Sequence, residues 1–122
     1  MTITGASAQV TLGIPAATRH IRVARTVAAT IAADLDFSAD QIEELRIAVD
    51  EVVSLLVDGA RADGEVTIRF GIVDDRCIEM HAAIEHGSIA DVPALTEQII
   101  RAVVDDVRLD ERTGWFSMQR AQ

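Results

Sequence analysis

A chain of 122 residues with 49% hydrophobic side chains holds one ordinary domain and has no room for a second. Its formal charge of -9 and pI near 4.6 exclude a nucleic-acid or anionic-membrane binder, because phosphate attraction needs clustered positive charge, and favour a protein or cationic partner. All 11 basic residues are Arg, and the chain has no Lys, Asn or Tyr, so no mechanism here can use an Asn side chain.

Met1 to Ala8 reads as a loose start. Val10, Leu12 and Ile14 then alternate with Gln9, Thr11 and Gly13, as in a half-buried strand that Pro15 ends. From about Ala16 to Leu35, the residues Ala17, Ile21, Ala24, Ala28, Ile31 and Leu35 keep helical spacing, with Arg19, Arg22 and Thr26 turned outward. Asp34, Asp36 and Ser38 make a short polar connection, which favours antiparallel packing of the helix that follows.

That next helix, Ser38 to Ala60, carries the functional reading. Ser38 with Gln41 forms a capping-box pattern, and Gly59 supplies the stop. Ile42, Leu45, Val49, Val52 and Leu56 line one face, which is predicted to be core. Glu44, Ile47, Glu51, Leu55 and Asp58 fall opposite, and a plain solvent face has no need of Ile47 and Leu55.

After Gly64 the period changes to two. Val66, Ile68, Phe70 and Ile72, a turn at Asp74 and Asp75, then Ile78, Met80, Ala82 and Ile84 predict a hairpin whose other face, with Thr67, Arg69, Glu79 and His81, is polar. Pro93 suits the first turn of a third helix in which Leu95, Ile99 and Val103 share a face. Val107 and Leu109, a turn at Glu111 to Gly114, and Phe116 with Met118 predict a closing hairpin, with Trp115 opposite the inward Phe116 and either marking an interface or covered by a neighbouring element. Strands and helices in this order predict an α+β fold, a two-layer α/β sandwich.

Several chemistries drop out. No run reaches the ~18 apolar residues of a membrane helix, and MTITGASAQV lacks a signal-peptide pattern, so a cytoplasmic location is expected. The single Cys77 closes no internal disulfide. Cys77 and His81 sit four apart on a predicted strand, roughly 13 Å along it, too far to share one metal ion. No Walker or Rossmann glycine loop and no nucleophile elbow occurs.

The segment Leu45 to Ser54, LRIAVDEVVS, resembles the anti-sigma factors of the serine-protein-kinase branch of the GHKL ATPases, and Ile100 to Val107, IRAVVDDV, is similar to that family's last helix. The resemblance spans almost the whole chain and implies one histidine-kinase-like ATPase (Bergerat) domain over 1–122, with a mixed, mostly antiparallel sheet and about three helices on one face. In such proteins the second helix carries a Glu that activates the attacking hydroxyl and, four residues on, an Asn that holds Mg²⁺ on ATP. The Glu maps onto Glu51, a vestigial base position, and the Asn position is Leu55, which offers a hard cation no oxygen. The adenine box maps onto Glu85 to Ile89, where Gly87 survives and Glu85 replaces Asp; the glycine-rich lid is replaced by Asp91 to Leu95.

Three nucleotide elements are thus degraded together, and no cofactor is expected. The resemblance implies a homodimer that holds an RNA polymerase sigma factor across surfaces involving the first helix and yields it to an anti-anti-sigma factor. On this chain Arg19 and Arg22, with flanking Arg25, are the only basic cluster on an otherwise acidic molecule, and they are the expected contacts. One alternative is an active kinase that uses ATP and Mg²⁺, with Glu51 as base, to phosphorylate an anti-anti-sigma factor. Another is a dimerisation module that binds no sigma factor.

Overall fold

A computed structural model describes residues 8–121 of the chain. Of the expected loose start, positions 1–7 lie outside the described residues, and Ala8 already belongs to the first strand. The elements follow as β1 (Ala8–Pro15), a single 3-10 turn (Thr18–His20), α1 (Ile21–Asp34), α2 (Ala39–Gly59), β2 (Glu65–Val73), β3 (Cys77–Ile84), α3 (Ala94–Val103), β4 (Asp106–Leu109) and β5 (Thr113–Gln119). The strands form one five-stranded sheet in the order β1-β2-β3-β5-β4. Every pairing is antiparallel, where a mixed sheet was expected, because β5 inserts between β3 and β4 and no strand lies beside a parallel neighbour. Among the described residues no helix is long and apolar enough to cross a membrane.

The core lies between the helices and one sheet face. Leu45, Val49, Val52 and Leu56 of α2 are fully buried against Ile68, Phe70, Met80 and Phe116 of the sheet layer. Each such side chain contributes about 1.5–3 kcal/mol by leaving water. Gly114, the cross-strand partner of Ala82, lies directly under α2. A Cβ on Gly114 would stand 2.5 Å from Val52 Cγ1, so this glycine is a seat for α2. The expected turn over Glu111 to Gly114 is shifted accordingly: Thr113 and Gly114 already belong to β5, and Asp110 makes the turn by accepting the N–H groups of Arg112 and Thr113 at 2.9 Å each.

Four further expectations are corrected. The first helix begins with the 3-10 turn, and α1 proper starts at Ile21. The connection to α2 is not merely polar: Phe37 is buried there, while Asp36 adopts a left-handed φ of 61. The capping box at α2 is half formed. Ser38 accepts the Gln41 N–H at 3.1 Å, but the Gln41 side chain clamps the end of β5, donating to Gln119 O at 2.9 Å and accepting from Ala121 N at 3.0 Å. On α3 the buried residue is Ile100, and Leu95 is 67% exposed, because the helix meets the layer along a face rotated from the Leu95–Ile99 stripe.

The hairpin turn between β2 and β3 places both Asp74 and Asp75 at φ 54, with Arg76 N–H donating to Val73 O at 3.1 Å. Asp74, Asp75 and Arg76 form the three-residue loop between the paired Val73 and Cys77, and the short polar Asp side chains tolerate its two left-handed positions.

Candidate functional site

The outward face of α2 is flanked by α1 and by the loop between β3 and α3. Toward α1 it forms a groove of ≈ 310 Å³ lined by Arg25, Glu43, Arg46, Ile47, Asp50 and Glu51. Two ion pairs cross or edge this groove, Arg25 to Asp50 at 3.2 Å and Arg46 to Glu43 at 3.2 Å. The carboxylate of Glu51 forms no hydrogen bond or ion pair among the described residues. Ile47 stands 42% exposed beside it.

One turn further, Leu55 faces a different space. It lines a cavity of ≈ 260 Å³ with Asp58, Ser88, Ile89, Asp91 and Pro93. That lies below the roughly 300–1,000 Å³ of ordinary small-molecule sites. Its charged lining is two carboxylates with no cation, the wrong polarity for a polyphosphate. The loop that closes it is pinned: Ser88 N–H donates to Gly59 O at 3.0 Å, Ile89 N–H to Glu111 O at 2.7 Å, and the Ile89 side chain is buried.

Gly87 stands beneath this loop at φ 104, bridged to Ala60. A Cβ on it would overlap the Gly59 carbonyl oxygen, and one on Gly59 would come 2.8 Å from Ser88 O. The pair of glycines lets the loop cross the end of α2 backbone to backbone. Gly87 therefore has a packing reason to be glycine here. Glu85 turns away, into a third cavity of ≈ 270 Å³ with Asp63, Glu65, Thr67 and His86. Glu51, Leu55 and Glu85 thus line three separate spaces, and only Leu55 lies with the loop that follows Gly87.

The basic cluster is also divided. Arg19, in the 3-10 turn, and Arg22, on α1, are exposed, whereas Arg25 is held by Asp50. Asp50 was not singled out from sequence, although the signal is present: Arg25 and Asp50 lie nearly equidistant from the connection at Phe37 in an antiparallel helix pair. Val23, 44% exposed, adds an apolar spot among these arginines.

On the open face of the sheet the register aligns Arg69, His81, Trp115 and Arg108 in one row. Trp115 is covered within the chain by Arg108, whose guanidinium carbon lies 5.2 Å from the ring centroid. His81 was expected to face water, but it is 5% exposed. Arg69 approaches its Nδ1 at 3.3 Å and can only donate, so the neutral imidazole carries its proton on Nε2. That Nε2 has no partner among the described residues. Burial lowers the His81 pKa below its ordinary value, and the charge of Arg69 acts in the same direction. Burial and the neighbouring Glu79 raise that of Cys77. Among the described residues no three His, Cys, Asp or Glu side chains gather as a metal site.

No family model matches the chain. It is similar to the serine-protein kinase RsbW of Oceanobacillus iheyensis, at 28% identity over 86% of this chain and 80% of that protein. It is 31% identical to RsbW of Bacillus cereus strain G9842 over 75% of this chain and 57% of that protein. Against RsbW of Bacillus subtilis strain 168 it is 35% identical over 52% of this chain and 41% of that protein. The chain is a homologue of the RsbW serine-protein kinases. The match agrees with the resemblance carried by Leu45 to Ser54, and it covers less than two thirds of the Bacillus cereus and Bacillus subtilis relatives. The fold agrees as well: the crystal structure of the RsbU and RsbW domains of a Mycobacterium tuberculosis protein superposes with a TM-score of 0.76 over 95% of this chain and 33% of that one, at 14% identity.

Proposed function

We propose that this RsbW homologue is a cytoplasmic anti-sigma factor that sequesters an RNA polymerase sigma factor by protein binding alone, without ATP, as a homodimer from which an anti-anti-sigma factor releases the sigma factor. The observation that carries the reading is the Leu55 cavity, with leucine at the metal-ligand position, carboxylates of Asp58 and Asp91 in the lining, and a loop fastened to Gly59 and Glu111. A nucleotide phosphate there meets like charge and no cation. Sequestration needs only a surface. Arg19 and Arg22 with Val23 supply one, two uncommitted guanidinium groups around an apolar spot.

Titration calorimetry with Mg-ATP tests the first half, with no heat of binding expected; a micromolar affinity at one nucleotide per chain would overturn it. For the second half, Arg22→Glu is expected to weaken capture of the cognate sigma factor about tenfold, ~1.4 kcal/mol, with the circular dichroism and melting curve unchanged. Unaltered capture removes α1 from the interface.

The kinase reading keeps one observation in its favour, the unpartnered Glu51 carboxylate on the open groove. Transfer of radiolabelled phosphate to an anti-anti-sigma protein, abolished by Glu51→Gln, would establish it.

A further inference from the structure

The two edges of the sheet are built differently. β4 is short, 4 residues, and carries Asp106 and Arg108 with Asp105 and Asp110 at its ends. Shortness and charge are the usual protection of an exposed edge. β1 has 8 residues, pairs with β2 one to one without a bulge from Ala8↔Ile72 to Pro15↔Glu65, and has no strand on its other side among the described residues. It carries no charged side chain, and none occurs anywhere from Met1 to Thr18. Only Pro15, at its end, blunts it. Val10, on the strand face that bears the core, remains 38% exposed.

We propose that β1 is the seam of the homodimer, its free edge pairing antiparallel with β1 of a second copy across a two-fold axis so that the two sheets run on as one. The inference rests on the dimer in the proposed function and adds the surface that makes it. Charge selects the occupant. Each copy carries -9, so two copies meet acid against acid over most of their surfaces, and β1 is a long edge whose own side chains are all neutral, with one carboxylate, that of Glu65 from β2, lying over Gly13 near its end. Two-fold pairing of one strand with itself is self-complementary. An axis near Thr11 sets Val10 and Leu12 beside the same residues of the second copy, as cross-strand apolar pairs. The sigma factor is then left the α1 surface, away from the seam.

Sedimentation of the full chain over a dilution series, with hydrogen exchange of the β1 amides at high and low concentration, tests the seam. Thr11→Glu puts carboxylates beside the axis at a position exposed in the single chain, and Gln9→Glu does the same at a second exposed position. The expected result is a wild-type dimer, slower exchange of β1 when concentrated, and a dimer dissociation constant raised at least about tenfold in both variants, with Trp115→Ala unchanged. A monomeric wild type, a dimer indifferent to both variants, a dimer lost on Trp115→Ala instead, or β1 protection seen only with an added partner protein would each overturn the seam. Sigma-factor capture is measured separately: a dimer with this signature that captures no sigma factor sinks the proposed function and leaves the seam standing.

Discussion

The inward and outward faces of α2 obey different rules. Leu45, Val49, Val52 and Leu56 are wholly buried, and every atom they touch belongs to this chain. Two residues from Leu45, Ile47 stands 42% exposed; Glu51 has an unpartnered carboxylate, and Leu55 half-covers a small acid-rimmed cavity. Residue type and burial agree where the chain's own packing decides them. Where they disagree, the proposed function supplies a protein partner as the missing neighbour.

The largest effect that sharpens this contrast comes from truncating two residues on one turn. Leu45→Ala removes a fully buried side chain and is expected to lower unfolding free energy by about 2–5 kcal/mol. Ile47→Ala is expected to change it by no more than about 0.5 kcal/mol, while weakening capture of a protein partner. Denaturant melts and a pull-down read both. Equal losses of stability in the two variants would mean that the outward face is as structurally committed as the core.

His81 is the place on the outer surfaces where the contrast nearly fails, since it is buried like a core residue yet leaves Nε2 unsatisfied. Its pKa is lowered by burial and by Arg69, so the unfolded chain binds the proton more readily than the folded one. Stability attributable to neutral His81 is therefore present above the ordinary histidine value of ~6.5 and is lost as pH falls through and below it, with a slope of at most about 1.4 kcal/mol per pH unit. Asp110 acts in a separate, more acidic window, because hydrogen bonds from Arg112 and Thr113 hold its carboxyl below its ordinary value. Urea midpoints measured from pH 7.5 to 5, about the histidine window, are expected to fall in the parent protein and to stay flat in His81→Phe. A parallel fall in both would assign the loss elsewhere.

Periodicity made most of the fold legible. Alternation along Val66 to Ile72 and Ile78 to Ile84 and the stripe from Leu45 to Leu56 each report burial against one layer, and burial is what they do. The failures share a cause, that the deciding neighbour is distant in sequence. Gly114 looked like a turn residue because nothing local says that Val52 must pass over it. Phe37 looked stranded in a polar link, and Gln41 looked like a cap until the end of β5 came within reach. His81 sits on the polar side of the alternation and is nevertheless buried, with Arg69 from the neighbouring strand at its Nδ1. The candidate site was legible as a set of substitutions, through resemblance, but its division into three spaces was not. That Glu51, Leu55 and Glu85 face apart depends on how the loop after Gly87 crosses α2.

The smallest expected effect bears most directly on function. Leu55→Asn places an amide oxygen at the position that the resemblance assigns to a Mg²⁺ ligand. Leu55 is half-buried against the core, so the exchange is expected to cost about 1 kcal/mol of stability. It is not expected to create nucleotide binding, because the Asp58 and Asp91 carboxylates and the hydrogen bonds from Ser88 and Ile89 remain. Metal affinity follows from a complete donor set with compensating charge, and one amide oxygen supplies neither the second ligand nor a cation for the phosphates. Calorimetry of Leu55→Asn with Mg-ATP decides the point. Silence is the outcome expected if the loop and its acidic rim oppose a nucleotide whatever stands at position 55; a measurable affinity would make Leu55 alone the obstacle to nucleotide binding.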